Sequence, residues 1–377
     1  MSKRSRGSNW LGLVIAAAAV VLAVLFLVQN QNLRQQIEEL GGTPGPAATE
    51  PVVEAEPAVT EAASTLETVL ARGKLILGAH SALPGFGALD ASTGEFSGFD
   101  VDFGHALAAA LGVEMEVVPL TAGERFTALQ TGQVDVLIRN TTWTLTRDSK
   151  DVAANFGPTT FYDGQGFIVR KADGIRSILD LDGATVCVTS GTTTEGNLAD
   201  AFRLNGLTLN TQVFAETEAA FGAYDSGACD CYTSDKSQLA SLRTTATDPS
   251  AHTILPDTIS KEPLGPLTRH GDDEWFDVVK WVVFATFFAE EHGITQANVA
   301  TFESDNPEIR RFLGLEGGMG AKLGLSEDWA VRVIAAMGNY SEIYERHLGP
   351  TGLDIPRDGS LNDLWTNGGL IYCPAWR

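Results

Sequence analysis

The chain has 377 residues, too many for one compact core and enough for two lobes with extensions. Its 48 acidic residues against 26 basic ones give a formal charge of −22, which disfavours nucleic acid and anionic membrane surfaces as partners. Four cysteines, Cys187, Cys229, Cys231 and Cys373, do not fit a zinc site: two of them are one residue apart and no histidine is near, so neither metal nor cofactor is expected.

Residues 1–9 carry Lys3, Arg4 and Arg6 and no acid. Trp10 to Val28 is an unbroken apolar run, roughly 28 Å long as a helix and close to the bilayer core in length. A cleaved signal peptide would be shorter and end in a small-x-small site, which FLVQNQN does not offer. The run therefore reads as a transmembrane anchor with residues 1–9 cytoplasmic and the rest outside. Residues 29–64 read as a juxtamembrane helix followed by a flexible tether rich in Pro, Ala, Glu and Thr. A second apolar run of that length does not follow, which excludes a channel or permease.

From about Thr65 the pattern alternates between apolar strands and amphipathic helices. Strands are expected at 75–79, 115–120 and 134–138, with helices at 103–111 and 125–131. A second unit begins near Phe167, with a strand ending at Val188 and another at CDCYTSD, 229–235. Such alternation implies an α/β fold with largely parallel sheets, whose ligands sit beyond the carboxyl ends of the strands. The segments there carry Thr142 and Arg147, then Thr193 at a helix start, then Asp235. An arginine and free helix N–H groups suit a carboxylate, an aspartate suits an ammonium, and Thr142 can serve either. Together they suit an α-amino acid zwitterion. They suit catalysis poorly, because no His, Cys or paired carboxylate is placed to move protons or attack.

Simpler roles compete for each residue. Arg147 could pair with Asp148 or Asp151 on the surface. Asp235 could cap the helix from Lys236, and Thr192–Thr194 could cap the helix at Glu195. Trp143 suits core or hinge packing. Asp100 and Asp102 resemble metal ligands but fit better at the start of the helix from Phe103. His80, near a strand end, could line a pocket or pack inertly.

The stretches GFDVDF (98–103), PLTAGERFTALQTGQVDVL (119–137), RNTTWTLTRD (139–148), YDGQGF (162–167), SGTTTEGNLAD (190–200), SKEPLGP (260–266) and GNYSEIYERHLG (338–349) closely resemble the general L-amino acid-binding proteins of ABC transporters. The resemblance runs from about Arg72 to the C-terminus. It implies a two-lobed type II periplasmic-binding-protein fold, with lobe 1 at 65–163 plus 268–377 and hinge segments with lobe 2 at 164–267. It implies free L-amino acids as ligands and ABC permease subunits as partners. Residue by residue, Arg147 matches the carboxylate-binding arginine, Thr142 a threonine contacting both ends of the zwitterion, and Thr192 with Thr193 the helix-start backbone. Asp235 matches the ammonium-binding acid, and Asn140 a position whose carbonyl faces the ammonium. Narrow-specificity relatives place an aromatic where Leu83 stands and an acid where His80 stands, so a roomier pocket and broad specificity are expected. Within that fold Cys187 and Cys229 lie on neighbouring strands of lobe 2 in oxidising space and are expected to form a disulfide. Cys231, expected on the same strand face as Cys229, and Cys373 form a second candidate pair. The alternative readings are an amino-acid-presenting sensor component and a dehydratase, since some relatives on this fold are dehydratases. The dehydratases need an acid aimed at the ligand, and Glu95, Glu124 and Glu195 do not match a ligand position.

Overall fold

The computed structural model describes residues 64–377. The expected anchor at 10–28 and nearly all of the tether at 29–64 lie outside the described residues. Among the described residues no helix is long and apolar enough to cross a membrane.

The described part opens with α1 (Thr65–Arg72), which Ser64 and Glu67 close with a reciprocal capping box. It leads into β1 (Lys74–Ala79). Three short strands, β2 (Ala82–Leu83), β3 (Gly87–Leu89) and β4 (Phe96–Ser97), form a small antiparallel ribbon. The next helix, α2, spans Phe99–Leu111 and starts four residues before the expected Phe103. Gly98 makes this possible. Its φ is 142°, and a Cβ there would meet the Phe86 carbonyl oxygen at 2.2 Å. That turn lets Phe99 and Asp100 donate N–H bonds to the carbonyls of Gly85 and Phe86. Asp100 and Asp102 thus fall inside the first turn, as the helix dipole favours.

β5 (Glu114–Pro119), α3 (Arg125–Gln130), β6 (Val136–Leu137) and β7 (Ala154–Phe156) complete the first half of this unit. The strand expected over 134–138 is only two residues long. The chain then runs through β8 (Phe161–Asp163) into β9 (Gln165–Arg170), β10 (Thr185–Thr189), α4 (Thr193–Asn205), β11 (Asn210–Phe214), α5 (Thr217–Asp225), β12 (Cys231–Asp235), α6 (Lys236–Arg243) and β13 (His252–Ile254). It returns through β14 (Glu262–Leu264) to β15 (Leu267–Arg269) and the 19-residue α7 (Asp273–Glu291). Three further helices follow: α8 (Pro307–Phe312), α9 (Trp329–Met337) and α10 (Tyr340–His347).

Two five-stranded sheets result, ordered β5-β1-β6-β15-β7 and β11-β10-β12-β9-β13. In each, four strands share one direction and one strand, β15 or β9, runs antiparallel between its two neighbours. Each sheet is the heart of one lobe, giving a two-lobed α/β fold. The chain crosses between lobes twice, and the crossing strands β8 and β14 pair antiparallel, with Tyr162 opposite Pro263. On the first sheet, α7 buries Trp275, Val278, Val279, Val282 and Val283 at helical spacing. The Trp275 indole donates to the Asp135 carbonyl at 2.9 Å, so burial does not orphan it. The C-terminal Trp376 packs edge-on or stacked against Trp281, Phe312 and Trp329, which seats the tail on this lobe.

Cys187 and Cys229 are joined by a disulfide, with Cα atoms 5.8 Å apart. Cys231 and Cys373 are buried free thiols, which overturns their candidate pairing. Strand register explains both outcomes. β12 begins at Cys231, so Cys229 lies in the preceding turn rather than on the same strand face. Cys231 pairs with Val186 and packs with Val186 and Val188 on one face of the second sheet. Cys187, one residue on, points to the other face and joins Cys229. Cys373 packs in the core of the first lobe, away from Cys231.

Alkylation of the unfolded protein without reductant should label two thiols, and four after reduction. Removing the bridge by C187A/C229A should cost about 2–4 kcal/mol of stability, because 42 residues separate the two cysteines. Four labelled thiols before reduction would refute the bridge.

Candidate functional site

A small cavity, partly open to solvent, lies where the ends of β6, β10 and β12 converge. Its lining includes Asn140, Thr142, Arg147, Thr192, Thr193 and Asp235, so the fold brings six of the expected site residues together. They come from three strand ends far apart in sequence, as parallel α/β sheets arrange them.

Arg147 is buried and pairs with neither Asp148 nor Asp151. Its Nη1 donates to the Thr142 carbonyl at 2.9 Å, and its guanidinium lies over the Phe126 ring at 5.2 Å. Burial pushes its pKa down, while Glu262 and Asp235 act in the opposite sense. Thr142 is buried and its backbone bridges to Leu264 of β14, tying the site to the hinge.

Thr192 is the N-cap residue of α4, but no side chain caps the helix start. Its Oγ1 instead donates to the Thr189 carbonyl at 2.6 Å. The Thr193 Oγ1 donates to Glu262 at 3.0 Å. The first N–H groups of a 13-residue helix are therefore left to face the cavity.

Asp235 occupies the N-cap position of α6, yet makes no capping bond. Its Oδ1 is buried and has no hydrogen-bond partner among the described residues. Burial, then the nearby carboxylates of Asp163 and Glu262, push its pKa well up, with Arg147 and Arg125 opposing. Asn140 sits at φ 31°, in the left-handed region. Its N–H donates to Asp100 at 2.6 Å and its Nδ2 to Gln238 at 3.0 Å, while its Oδ1 is unpartnered. The Asp100 carboxyl is pushed up to about 7 by burial, which the Asn140 bond and Arg139 only partly offset.

Two expected positions fall elsewhere. Leu83 is fully buried in the core, because β2 folds back on β3 and turns it inward, so it does not line the cavity. His80 lines an adjoining cavity with Ser81, Arg139, Glu216 and Glu218. Its Nδ1 accepts from the Ala82 N–H at 3.1 Å, and burial, reinforced by Arg139 and Arg125, holds its pKa low. Trp143 stacks on Phe156 at 5.8 Å and donates its N–H to Pro263, so it packs beside the hinge. Asp102 is bound by Arg346 and, at 2.8 Å, by His347.

The structure adds residues that sequence reasoning missed. Arg125 and Arg139 line the cavity from α3 and from the end of β6. Arg139 directly follows an apolar strand, a position that could have marked it. Glu262 is buried and accepts from Thr193, Asn197 and Ser260, bracing the start of α4 from the hinge strand. Gln165 donates to the Thr194 carbonyl at 3.0 Å, a second brace on the same turn.

This arrangement presents buried cationic groups and free helix N–H groups opposite a buried carboxylate. It can hold a small dipolar molecule, and no residue pair in it forms a nucleophile–base couple. Residues 75–314 match the bacterial extracellular solute-binding proteins, family 3. The general L-amino acid-binding periplasmic protein of Rhizobium johnstonii is 52% identical over 322 residues, 84% of this chain and 93% of its own length. The glutamate/glutamine/aspartate/asparagine-binding protein of Rhodobacter capsulatus is 51% identical over 321 residues, 84% of this chain and 94% of its own. A periplasmic binding protein from Brucella ovis, solved with glutathione bound, superposes with a TM-score of 0.81 at 49% identity, covering 84% of this chain and all of that one. With these matches spanning both lobes and the cavity between them, the chain belongs to the bacterial extracellular solute-binding proteins, family 3.

Proposed function

We propose that this protein captures free L-amino acids outside the cytoplasm and delivers them to the permease subunits of an ABC importer. One observation carries the ligand assignment: Asp235 is buried with an unpartnered Oδ1 in the same cavity as the buried Arg147. A zwitterion neutralises both at once. Its carboxylate takes Arg147 in a two-bond fork and the N–H groups at the start of α4. Its ammonium takes Asp235, with the Asn140 carbonyl and Thr142 completing the contacts. The relatives named as amino-acid-binding proteins of transporters support the same ligand class.

The lobes in this reading are 65–163 plus 268–377 and 164–267, closing about the β8–β14 crossing. Residues 10–28 would anchor the protein and 29–64 would tether it, keeping it in the same membrane as its permease.

Arg147→Ala and Asp235→Ala should each abolish measurable amino-acid binding in calorimetry while the thermal transition is retained. Each leaves one charged end of the ligand and its former neighbours unpaired in a buried site, a cost of about 3–5 kcal/mol. Near wild-type affinity in either variant would refute the assignment.

A pH dependence follows from Asp235. Its pKa in the free protein is raised, and the ammonium needs the carboxylate ionised. Affinity should therefore hold at high pH and fall as pH drops through the raised pKa, well above the range of an ordinary aspartate. Binding should also release protons, read by calorimetry in buffers of different ionisation enthalpy. A flat profile with no proton release would contradict this account of Asp235.

A further inference from the structure

The acid assigned to the ammonium sits where a helix would ordinarily claim it. Asp235 holds the N-cap position of α6, and an aspartate there usually accepts the N–H of the second or third helical residue. It makes no such bond, and its buried Oδ1 has no partner among the described residues. The first two N–H groups of α6 are served from the hinge instead. Lys236 donates to the Gly164 carbonyl at 2.9 Å, and Ser237 to Oδ2 of Asp163 at 3.2 Å. Asp163 ends the crossing strand β8, and its other oxygen accepts from the Gly164 N–H at 2.8 Å, which holds the carboxylate against this turn. Its cross-strand partner Glu262 is engaged by Thr193, Asn197 and Ser260. Of these neighbouring carboxylates, only Asp235 keeps a buried oxygen without a partner among the described residues.

The N–H groups at a helix start need acceptors, but the N-cap side chain need not be one of them. We infer that Asp163 is a positioning residue for ligand capture: it caps α6 from the hinge and so keeps the Asp235 carboxylate open for the ammonium. This role rests on the amino-acid reading above. Without the Asp163 acceptor, the Ser237 N–H draws the Asp235 carboxylate back onto its own helix, in competition with the ligand. The charge of Asp163 has a second, separable effect. Burial is the first cause of the raised Asp235 pKa, followed by the charges of Asp163 on β8 and Glu262 on β14, with Arg147 and Arg125 of the first lobe opposing. Lys236, on α6 itself, gives its Nζ to the Pro256 carbonyl at 2.8 Å. Burial pushes the Asp163 carboxyl up to about 6, against the bonds it accepts from Ser237 and Gly164, so it is ionised at mildly alkaline pH.

The test is calorimetry of the purified protein with L-glutamate, L-glutamine and L-alanine, continued with whichever binds the wild type most tightly. Asp163→Ala removes the acceptor and should weaken binding at mildly alkaline pH by about tenfold, the size of one N-cap bond. Asp163→Asn keeps an oxygen that caps as well as aspartate does, and should recover affinity to within about threefold of the wild type. The same Asn variant removes one of the two negative charges that raise the Asp235 pKa, so its affinity should hold to lower pH than the wild type's. Wild-type affinity in Asp163→Ala would overturn the proposal, even with a lowered thermal transition, by showing that the cap serves only the fold. Equal losses in the two folded variants would also overturn it, because the capping oxygen would then not be what matters. Should Asp163→Ala fail to fold, the Asn variant decides alone: retained affinity with the shifted pH profile supports the role, and a tenfold loss or an unshifted profile refutes it. Absence of binding of all three amino acids by the wild type would instead overturn the amino-acid reading itself.

Discussion

Buried charge without an internal partner is the constraint around which this molecule is built. Asp235 and three arginines are held in a cavity at strand ends, where water is largely excluded and each charge is expensive. A protein selected only for stability would pair these groups with one another or replace them with apolar residues. Here they face a common space instead. The groups are buried and held in place before a ligand arrives, so a ligand of the right charge pattern meets preorganised partners.

Keeping such groups apart requires a rigid surround. Glu262 and Gln165 brace the first turn of α4 through Thr193, Asn197 and the Thr194 carbonyl. Glu262 belongs to β14, one of the two strands that cross between lobes. The Thr142 backbone bridges to Leu264 of the same strand. The start of α4 and Thr142, both lining the cavity, are thereby joined to the hinge strand by direct bonds. Across the lobes, the Asn140 amide reaches Gln238 and the Ser241 hydroxyl reaches the Pro84 carbonyl at 2.6 Å. These neutral bonds are individually modest, which suits a contact that must open and close.

The cysteines show how finely register decides chemistry. Cys187 and Cys231 lie on adjacent strands, one residue out of step, and period-two alternation sends their side chains to opposite faces. The bridge therefore skips the strand residue and takes Cys229 from the turn before it. The expected Cys187–Cys229 pair forms, and the ladder accounts for why Cys231 is left out of it.

The sequence by itself determined the alternation of strands and helices, and so the α/β class with ligand groups at strand ends. It singled out Arg147, Thr192, Thr193 and Asp235, because a cation, a helix start and an acid after apolar runs have a local signature. It also marked the disulfide pair. Only the tertiary structure decided what those groups face. Leu83 followed a strand as a pocket residue should, yet the β2–β3 turn drove it into the core. His80 went to a neighbouring cavity. Arg125 and Glu262 carried no local signal, since a helix-start arginine and a strand glutamate are usually solvated. Their burial depends on distant segments closing over them: Gly191 lies 66 residues from Arg125, and Thr193 lies 69 from Glu262. Periodicity records which way a side chain points from its own element, whereas a site is made by what the other elements bring to meet it.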